Sequence, residues 1–377
     1  MSDALDETDG SARVPVTVLT GPLGAGKTTL VNHLLREAGD RSIAVLVNDM
    51  GEVNIDAALI ESEADDGIVD LSNGCICCRL RGDLLSAIDR LARERSFDHL
   101  VVEASGISEP MPIARTLTLG DADSDVDPTD RYRLDTVVTV VDAYGFWKEF
   151  DAGERPPSGA DPDRPLADVL VDGIEFCDVV VLNKCDMVPE DALGEIEAVV
   201  DRIQPRAPIH RTTHSAIDPD RVLDTGRFDF ETARREQGWK RELAADGDAA
   251  GRGHGHDHEE RSAAAAHGVG SVVYERDRPF APEPFADWVE DWDGSIVRAK
   301  GFCWLASRPD EVVGLSQAGP SVRVGPIGEW GEDDPATRLV FIGRDLEEER
   351  LADELDACLT DGDGDGDDPF PRETLLR

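Results

Sequence analysis

The first half of the chain alternates short unbroken apolar runs with longer segments of helical period. "VPVTVLT" (14–20), "SIAVLVND" (42–49), "HLVVEAS" (99–105), "TVVTVVD" (136–142) and "DVVVLNK" (178–184) are rich in valine, isoleucine and leucine. Between them, "KTTLVNHLLREAG" (27–39) closes on Gly39, and helical stretches are predicted over residues 79–95, 166–176 and 189–203. Strands buried on both faces read as continuous apolar runs, and parallel neighbours need helical crossovers. The pattern predicts an α/β fold over residues 12–215, a P-loop-type mostly parallel sheet covered by helices on both faces.

The pattern then changes. Residues 216–270 are rich in Asp, Arg, Gly and Ala and include "GRGHGHDHEE" (251–260), which predicts a linker that is mobile towards its end. Residues 271–360 predict a smaller α+β domain. "SVVYERD", "SIVRAKGFCWLAS" and "RLVFIGRD" read as strands, and "PEPFADWVEDW" and "LEEERLADELDACL" as helices. Residues 1–11 read as a disordered leader and 361–377 as an acidic tail. "TDGDGDGDDPF" (360–370) is superficially like a calcium loop but lacks the glutamate at its twelfth position.

Charge narrows the partners. The net charge is −42 over 377 residues, and Lys27, Lys148, Lys184, Lys240 and Lys300 are the only lysines. An acidic surface stays hydrated in concentrated salt, where its self-repulsion is screened. A salt-loving (halophilic) source is the expectation, and nucleic acid, whose phosphates would be repelled, is not an expected partner. No apolar run is long enough to span a membrane, and the N-terminus lacks a basic-then-apolar leader. The expected location is the cytoplasm. Seven cysteines, with Cys75, Cys77 and Cys78 crowded into "NGCICCR", argue for metal binding or a reactive thiol rather than disulfides.

"GPLGAGKT" (21–28) satisfies G-x-x-x-x-G-K-[ST] between a predicted strand and a predicted helix. Gly21, Gly24 and Gly26 let the backbone curl so that its N–H groups, those of Ala25 and Thr29 included, face phosphate oxygens. Lys27 reaches the β/γ-phosphates and the Thr28 hydroxyl ligates Mg²⁺. "NKCD" (183–186) ends a predicted strand and matches N-K-x-D. Asp186 can accept from N1–H and the exocyclic amine of guanine, a donor pair that adenine lacks. Asn183 can bond the far edge of the base, and Lys184 can lie along its plane. "THSAID" (213–218) is a further candidate for a backbone contact to guanine. In "HLVVEASG", Glu103 is placed to orient magnesium-bound water and Gly106 to sense the γ-phosphate.

Three thiolates at i, i+2 and i+3 suit a soft or borderline ion, and a structural zinc wants four ligands. Asp49, Glu52 and Asp56 in "NDMGEVNID" are candidate oxygen donors that would join Cys75, Cys77 and Cys78 beside the γ-phosphate. His254, His256 and His258, with Asp257, Glu259, Glu260 and His267 nearby, form a second, weaker candidate cluster. Cys177, Cys185, Cys303 and Cys358 are isolated and read as buried residues.

"LTGPLGAGKTTLVNHLL", "NDMGEVNIDAALI", "LSNGCICCRLRGDL", "VVEASGISEP" and "VVVLNKCDMV", in that order, resemble the CobW-type family of P-loop GTPases. These are metallochaperone relatives of the urease and hydrogenase nickel-insertion GTPases. "RAKGFCWLAS", "GEW" and "RLVFIGRDL" resemble that family's C-terminal domain. The resemblance implies slow GTP hydrolysis to GDP, with Mg²⁺, coupled to carrying Zn²⁺ or Co²⁺ on Cys75, Cys77 and Cys78 to a metal-requiring client protein. One departure is "NDMGE", where the family commonly has N-E-F-G-E, often after a glutamate; here Val47 precedes it. Cobalt handling for cobalamin synthesis, a metal buffer or sensor with incidental GTPase activity, and a P-loop phosphotransferase are the alternative readings. A homodimer is also compatible with the sequence.

Overall fold

The computed structural model describes residues 13–47, 68–70, 85, 88–93, 96–106, 110–120, 127–150, 166–235, 268–291, 295–361 and 367–371. The first unit is a seven-stranded, all-parallel sheet. Its strands are β1 (Val14–Thr20), β2 (Ile43–Val47), β3 (Ile68–Asp70), β4 (His99–Glu103), β5 (Tyr132–Asp142), β6 (Val179–Asn183) and β7 (Ile209–Arg211). Their spatial order is β3-β2-β4-β1-β5-β6-β7. Because β4 and β5 flank β1, the chain reverses its direction of travel across the sheet at β1. A crevice opens at such a switch point, beyond the carboxyl ends of the strands.

Side chains alternate across each strand, so each strand feeds two cores. Val180 and Leu182 join the core on one face, and Val179 and Val181 the core on the other. The first face is covered by α2 (Pro110–Leu119), α3 (Phe146–Phe150), α4 (Leu166–Phe176), α5 (Glu190–Ile203) and the segment carrying Leu85, Ile88 and Leu91. The prolines of α2 stand at Pro110 and Pro112, in its first turn, where no helical hydrogen bond is lost. The second face is covered by α1 (Lys27–Glu37), which buries Leu30, Val31 and Leu34.

Residues 216–235, assigned to a linker by composition, continue this first unit. Val222 and Leu223 are buried in the α1 face, and the Thr17 hydroxyl donates to the Val222 carbonyl at 3.0 Å. His33 Nε2 lies 2.6 Å from the Ile217 carbonyl oxygen. A short helix, α6 (Phe230–Arg235), follows. Two apolar residues in a polar stretch set up no periodicity, so the sequence pattern hides this docking.

The second unit is a five-stranded antiparallel sheet of β8 (Val269–Arg276), β9 (Ile296–Cys303), β10 (Glu311–Ala318), β11 (Ser321–Glu329) and β12 (Thr337–Arg344), ordered β11-β10-β9-β12-β8. The β10–β11 hairpin is not evident in the sequence pattern because Gly314, Gly325, Pro326 and Gly328 interrupt it. Gly314 has a local reason. A Cβ there would stand 2.7 Å from Ile327 Cγ2 on the paired strand. One face of this sheet packs under α7 (Pro282–Glu290) and α8 (Glu348–Asp356), around Phe280, Phe285, Phe341 and Leu355. The acidic tail is ordered where it docks. Arg308 donates to both Asp368 oxygens and to the carbonyls of Phe370 and Pro371, and Phe370 enters the core.

The other face meets the first unit. Val269, Val297, Ala318, Val340 and Ile342 share one apolar core with Leu170, Ile174, Leu193 and Val199. Inside this joint, Glu175 of α4 accepts from Arg298 Nε at 2.9 Å and from Lys300 Nζ at 2.8 Å. Ser321 donates to Asp168 at 2.7 Å, and Arg344 pairs with Glu195 at 3.0 Å while lying over the Trp147 ring. Burial alone would push the Glu175 carboxyl up, but Arg298 and Lys300 outweigh it and hold the group at about 2, against an ordinary 4.5.

Removing one partner from a buried ion pair strands the other charge. Glu175→Ala is therefore expected to cost about 3–5 kcal/mol in denaturant unfolding at fixed salt. Because the folded-state value is depressed, the stabilisation from Glu175 is complete above about pH 4.5 and is lost as pH falls through about 2. An acid-unfolding titration of wild type and variant should converge in that window.

Candidate functional site: the nucleotide cleft

The phosphate loop leaves β1 at Thr20 and enters α1 at Lys27. Two of its glycines are enforced by neighbours. Gly21 has φ 128, and a Cβ there would meet the Val140 carbonyl oxygen at 2.2 Å. Gly26 has φ 111, and its Cβ would lie 2.3 Å from Asn183 Nδ2 and 2.9 Å from Ser215 Oγ. Lys27 is buried, with Nζ donating to the carbonyls of Gly21 (2.8 Å) and Pro22 (3.0 Å). The ammonium thus lies against the mouth of the loop, where phosphate oxygens could replace these carbonyls as acceptors. Ala25 is buried beneath the loop, and Thr29 is exposed in the first turn of α1.

Thr28 donates its hydroxyl to Glu103 Oε1 at 2.9 Å. Glu103, the last residue of β4, is buried because β4 lies next to β1 in the sheet. A threonine hydroxyl and a carboxylate are hard oxygen donors, the set a small divalent cation takes. Gly106 abuts the tip of the loop: a Cβ there would lie 2.7 Å from the Leu23 backbone nitrogen. The spacing from Glu103 to Gly106 therefore places a carboxylate below the loop and a bare backbone against its tip.

The predicted base-reading segment lies alongside. Asn183 ends β6 and is buried; Nδ2 donates to the Ala25 carbonyl at 2.9 Å. Its Oδ1 accepts from Ser215 N (2.8 Å) and Thr212 Oγ1 (3.2 Å). Ser215 Oγ in turn donates to the Gly26 carbonyl at 3.0 Å. The phosphate loop, the 183–186 turn and the 212–215 loop are thereby one bonded unit. Lys184, His214 and Ser215 all have left-handed backbone, with φ 62, 52 and 53. Such conformations in non-glycine residues persist where the surroundings over-determine them, as at binding sites. Asp186 stands exposed on the turn after β6. Sequence reasoning missed Thr212 and Asp142. Asp142 ends the strand beside Asn183 and carries a signal that could have found it, a carboxylate closing the apolar run "TVVTVVD".

Asp49, Glu52, Asp56, Cys75, Cys77, Cys78, His254, His256 and His258 lie outside the described residues. Among the described residues, no three His, Cys, Asp or Glu side chains gather as a metal site. Burial pushes the Cys177 thiol up to about 12 and that of Cys358 to about 11, and raises Cys303 further. Those thiols stay protonated near neutral pH and are poor ligands. Cys185, half-buried, is also raised by burial. Among the described residues no helix is long and apolar enough to cross a membrane.

Comparison with known proteins follows this geometry. The family model "CobW/HypB/UreG, nucleotide-binding domain" matches residues 15–211, and "Cobalamin synthesis protein cobW C-terminal domain" matches residues 269–359. The chain is 37% identical to Zinc-regulated GTPase metalloprotein activator 1 of Dictyostelium discoideum, over 93% of this chain and 80% of that one. It is 29% identical to the zinc chaperone YjiA of Escherichia coli, over 90% of this chain and 96% of that one. A crystal structure of Zn(II)-bound YjiA GTPase from E. coli superposes with a TM-score of 0.42 at 23% identity, over 92% of this chain and 99% of that one.

Two substitutions probe the cleft. Gly26→Ala drives a Cβ into Asn183 and Ser215, and calorimetric titration should find GDP binding abolished. Asp186→Asn removes the charge of the exposed carboxylate on the predicted base-reading turn. It should weaken GDP binding by about a hundredfold without changing the unfolding midpoint, because the side chain is exposed.

Proposed function

The chain belongs to the CobW/HypB/UreG family of P-loop GTPases, and from that premise we propose that it is a GTP-gated metallochaperone. In this reading it carries zinc on Cys75, Cys77 and Cys78, with Asp49 and Glu52 as candidate oxygen donors, and hands the ion to a client protein. The observation that supports the reading is the preassembled cleft, in which the phosphate loop carrying Lys27 and Thr28, the latter bonded to Glu103, is tied through Ala25 to the turn that begins at Asn183. The printed names of relatives, a zinc-regulated GTPase metalloprotein activator and zinc chaperones, support zinc as the cargo.

Strand order supports coupling between the two ligands. β2 and β3 are register partners, Val47 opposite Asp70, and both run parallel to β1. The chain leaves β2 just before Asp49 and leaves β3 five residues before Cys75. Both departures are at the carboxyl end of the parallel sheet, the end at which β1 delivers the phosphate loop. Thr28 and Glu103 fit Mg²⁺, which when bound supplies charge neutralisation on the β- and γ-phosphates. Lys27 balances phosphate charge, and the Asn183 hub keeps the base loop in register with it. Since two ligands that bias one set of switch segments must alter each other's affinity, GTP should favour the metal-holding state and hydrolysis should loosen it. Thiolate ligands release protons on binding metal, so zinc affinity should fall in acid.

The test is zinc and cobalt titration in high salt with GDP and with a non-hydrolysable GTP analogue, beside Cys77→Ala. The expected outcome is severalfold tighter zinc binding with the analogue, abolished in the variant, and a smaller nucleotide effect on cobalt. Affinity indifferent to nucleotide would leave a GTPase with an uncoupled metal site. A larger shift for cobalt would make cobalt the cargo.

A further inference from the structure

Asp142 closes β5 directly opposite Asn183 at the end of β6. Its carboxylate is held at both oxygens. Oδ1 accepts the backbone N–H groups of Tyr144 (3.0 Å) and Gly145 (3.1 Å), closing a tight turn. Oδ2 accepts from Lys184 Nζ at 2.7 Å. Both side chains are only partly exposed, 24% for Asp142 and 32% for Lys184. The turn is further restricted at Gly145, where a Cβ would crowd Asp142 Oδ2 at 3.1 Å. Lys184 has φ 62, so its Cα–Cβ direction is set by a left-handed backbone that a lysine rarely adopts. A four-carbon arm is therefore fixed at its root by the backbone and at its tip by a carboxylate.

We propose that Asp142 is a positioning residue for nucleotide binding, holding the Lys184 arm as a flat floor for one face of the purine. The proposal rests on reading Asn183–Asp186 as the base-recognition turn. A free lysine arm would lose rotamer freedom when a base settled on it, and an arm already held by Asp142 avoids that loss. The arm meets the ring's face, whereas Asp186 meets its edge. Asp142 therefore sets how tightly a purine nucleotide is held without choosing among those that Asp186 admits.

The full chain is titrated with fluorescent GDP, and unlabelled GDP, inosine diphosphate and ADP compete. Asp142→Asn keeps an oxygen for the two turn N–H groups and removes the charge that Lys184 needs. GDP and inosine diphosphate affinities should fall together by about fivefold. Their ratio should stay at the wild-type value. KM for GTP should rise in step while kcat stays within about twofold. Lys184→Met should lose as much, and the double variant no more than either alone, as two residues acting through one contact require. Multiplying losses, a shifted ratio, or an Asp142→Asn variant that binds like wild type would overturn the proposal. Should Asp142→Asn not fold, Lys184→Arg against Lys184→Met decides. Arginine can still pair with Asp142 and should lose clearly less affinity than methionine, though not none, because its head group is larger and planar; equal losses in the two variants overturn the proposal. The wild-type preference for GDP over ADP tests the base-recognition reading separately, whatever Asp142 does.

Discussion

The side-chain amide of Asn183 is the contact on which the nucleotide cleft depends. It donates to the phosphate loop at Ala25 and accepts from Thr212 and Ser215 on the loop beyond β7. Buried amides left without partners are costly, so three loops that could drift separately are held to one arrangement. The strained backbone at Lys184, His214 and Ser215 is tolerated because this hub fixes it. The same hub explains why position 26 admits only glycine, since the amide occupies the space where a side chain would stand.

Hydrogen bonds carry that order away from the cleft. Thr139 donates to the Gly173 carbonyl at 2.8 Å, and its hydroxyl lies 2.8 Å from that of Thr20, within hydrogen-bond reach. Thr20 is the residue before Gly21, and Gly173 sits in α4 two positions before Glu175. The root of the phosphate loop is thus laterally bonded, through β5, to the helix that receives Arg298 and Lys300. Gly173 permits this closeness: a Cβ there would already press on Thr139 at 3.3 Å.

What was legible in the sequence is what local chemistry dictates. A phosphate cradle needs glycines, a lysine and a threonine at fixed spacing, and strands buried on both faces need unbroken apolar runs. These gave β1, β2, β4, β5, β6 and the cleft residues on them. What was hidden depends on partners far along the chain. Glu175 meets Arg298 across 123 positions and Lys300 across 125. Asp142 finds Lys184 only once β5 and β6 are known to be neighbours. The β10–β11 hairpin is broken up by glycines, and Val222, Leu223, Asp368 and Phe370 are single anchors in polar composition, invisible to any periodicity.

The joint between the two sheets also bears on how such a chain can change over generations. Arg298 is among the largest fully buried side chains, and the carboxylate facing it belongs to the other half of the molecule. A cut between residues 235 and 268 would leave a charged guanidinium on one fragment and, on the other, a helix whose apolar side has lost its cover. The halves match separate family models, and in this chain Glu175, Arg298 and Lys300 tie one to the other. A substitution at 175 is felt at 298 and 300, so a change in one half alters the fitness of changes in the other.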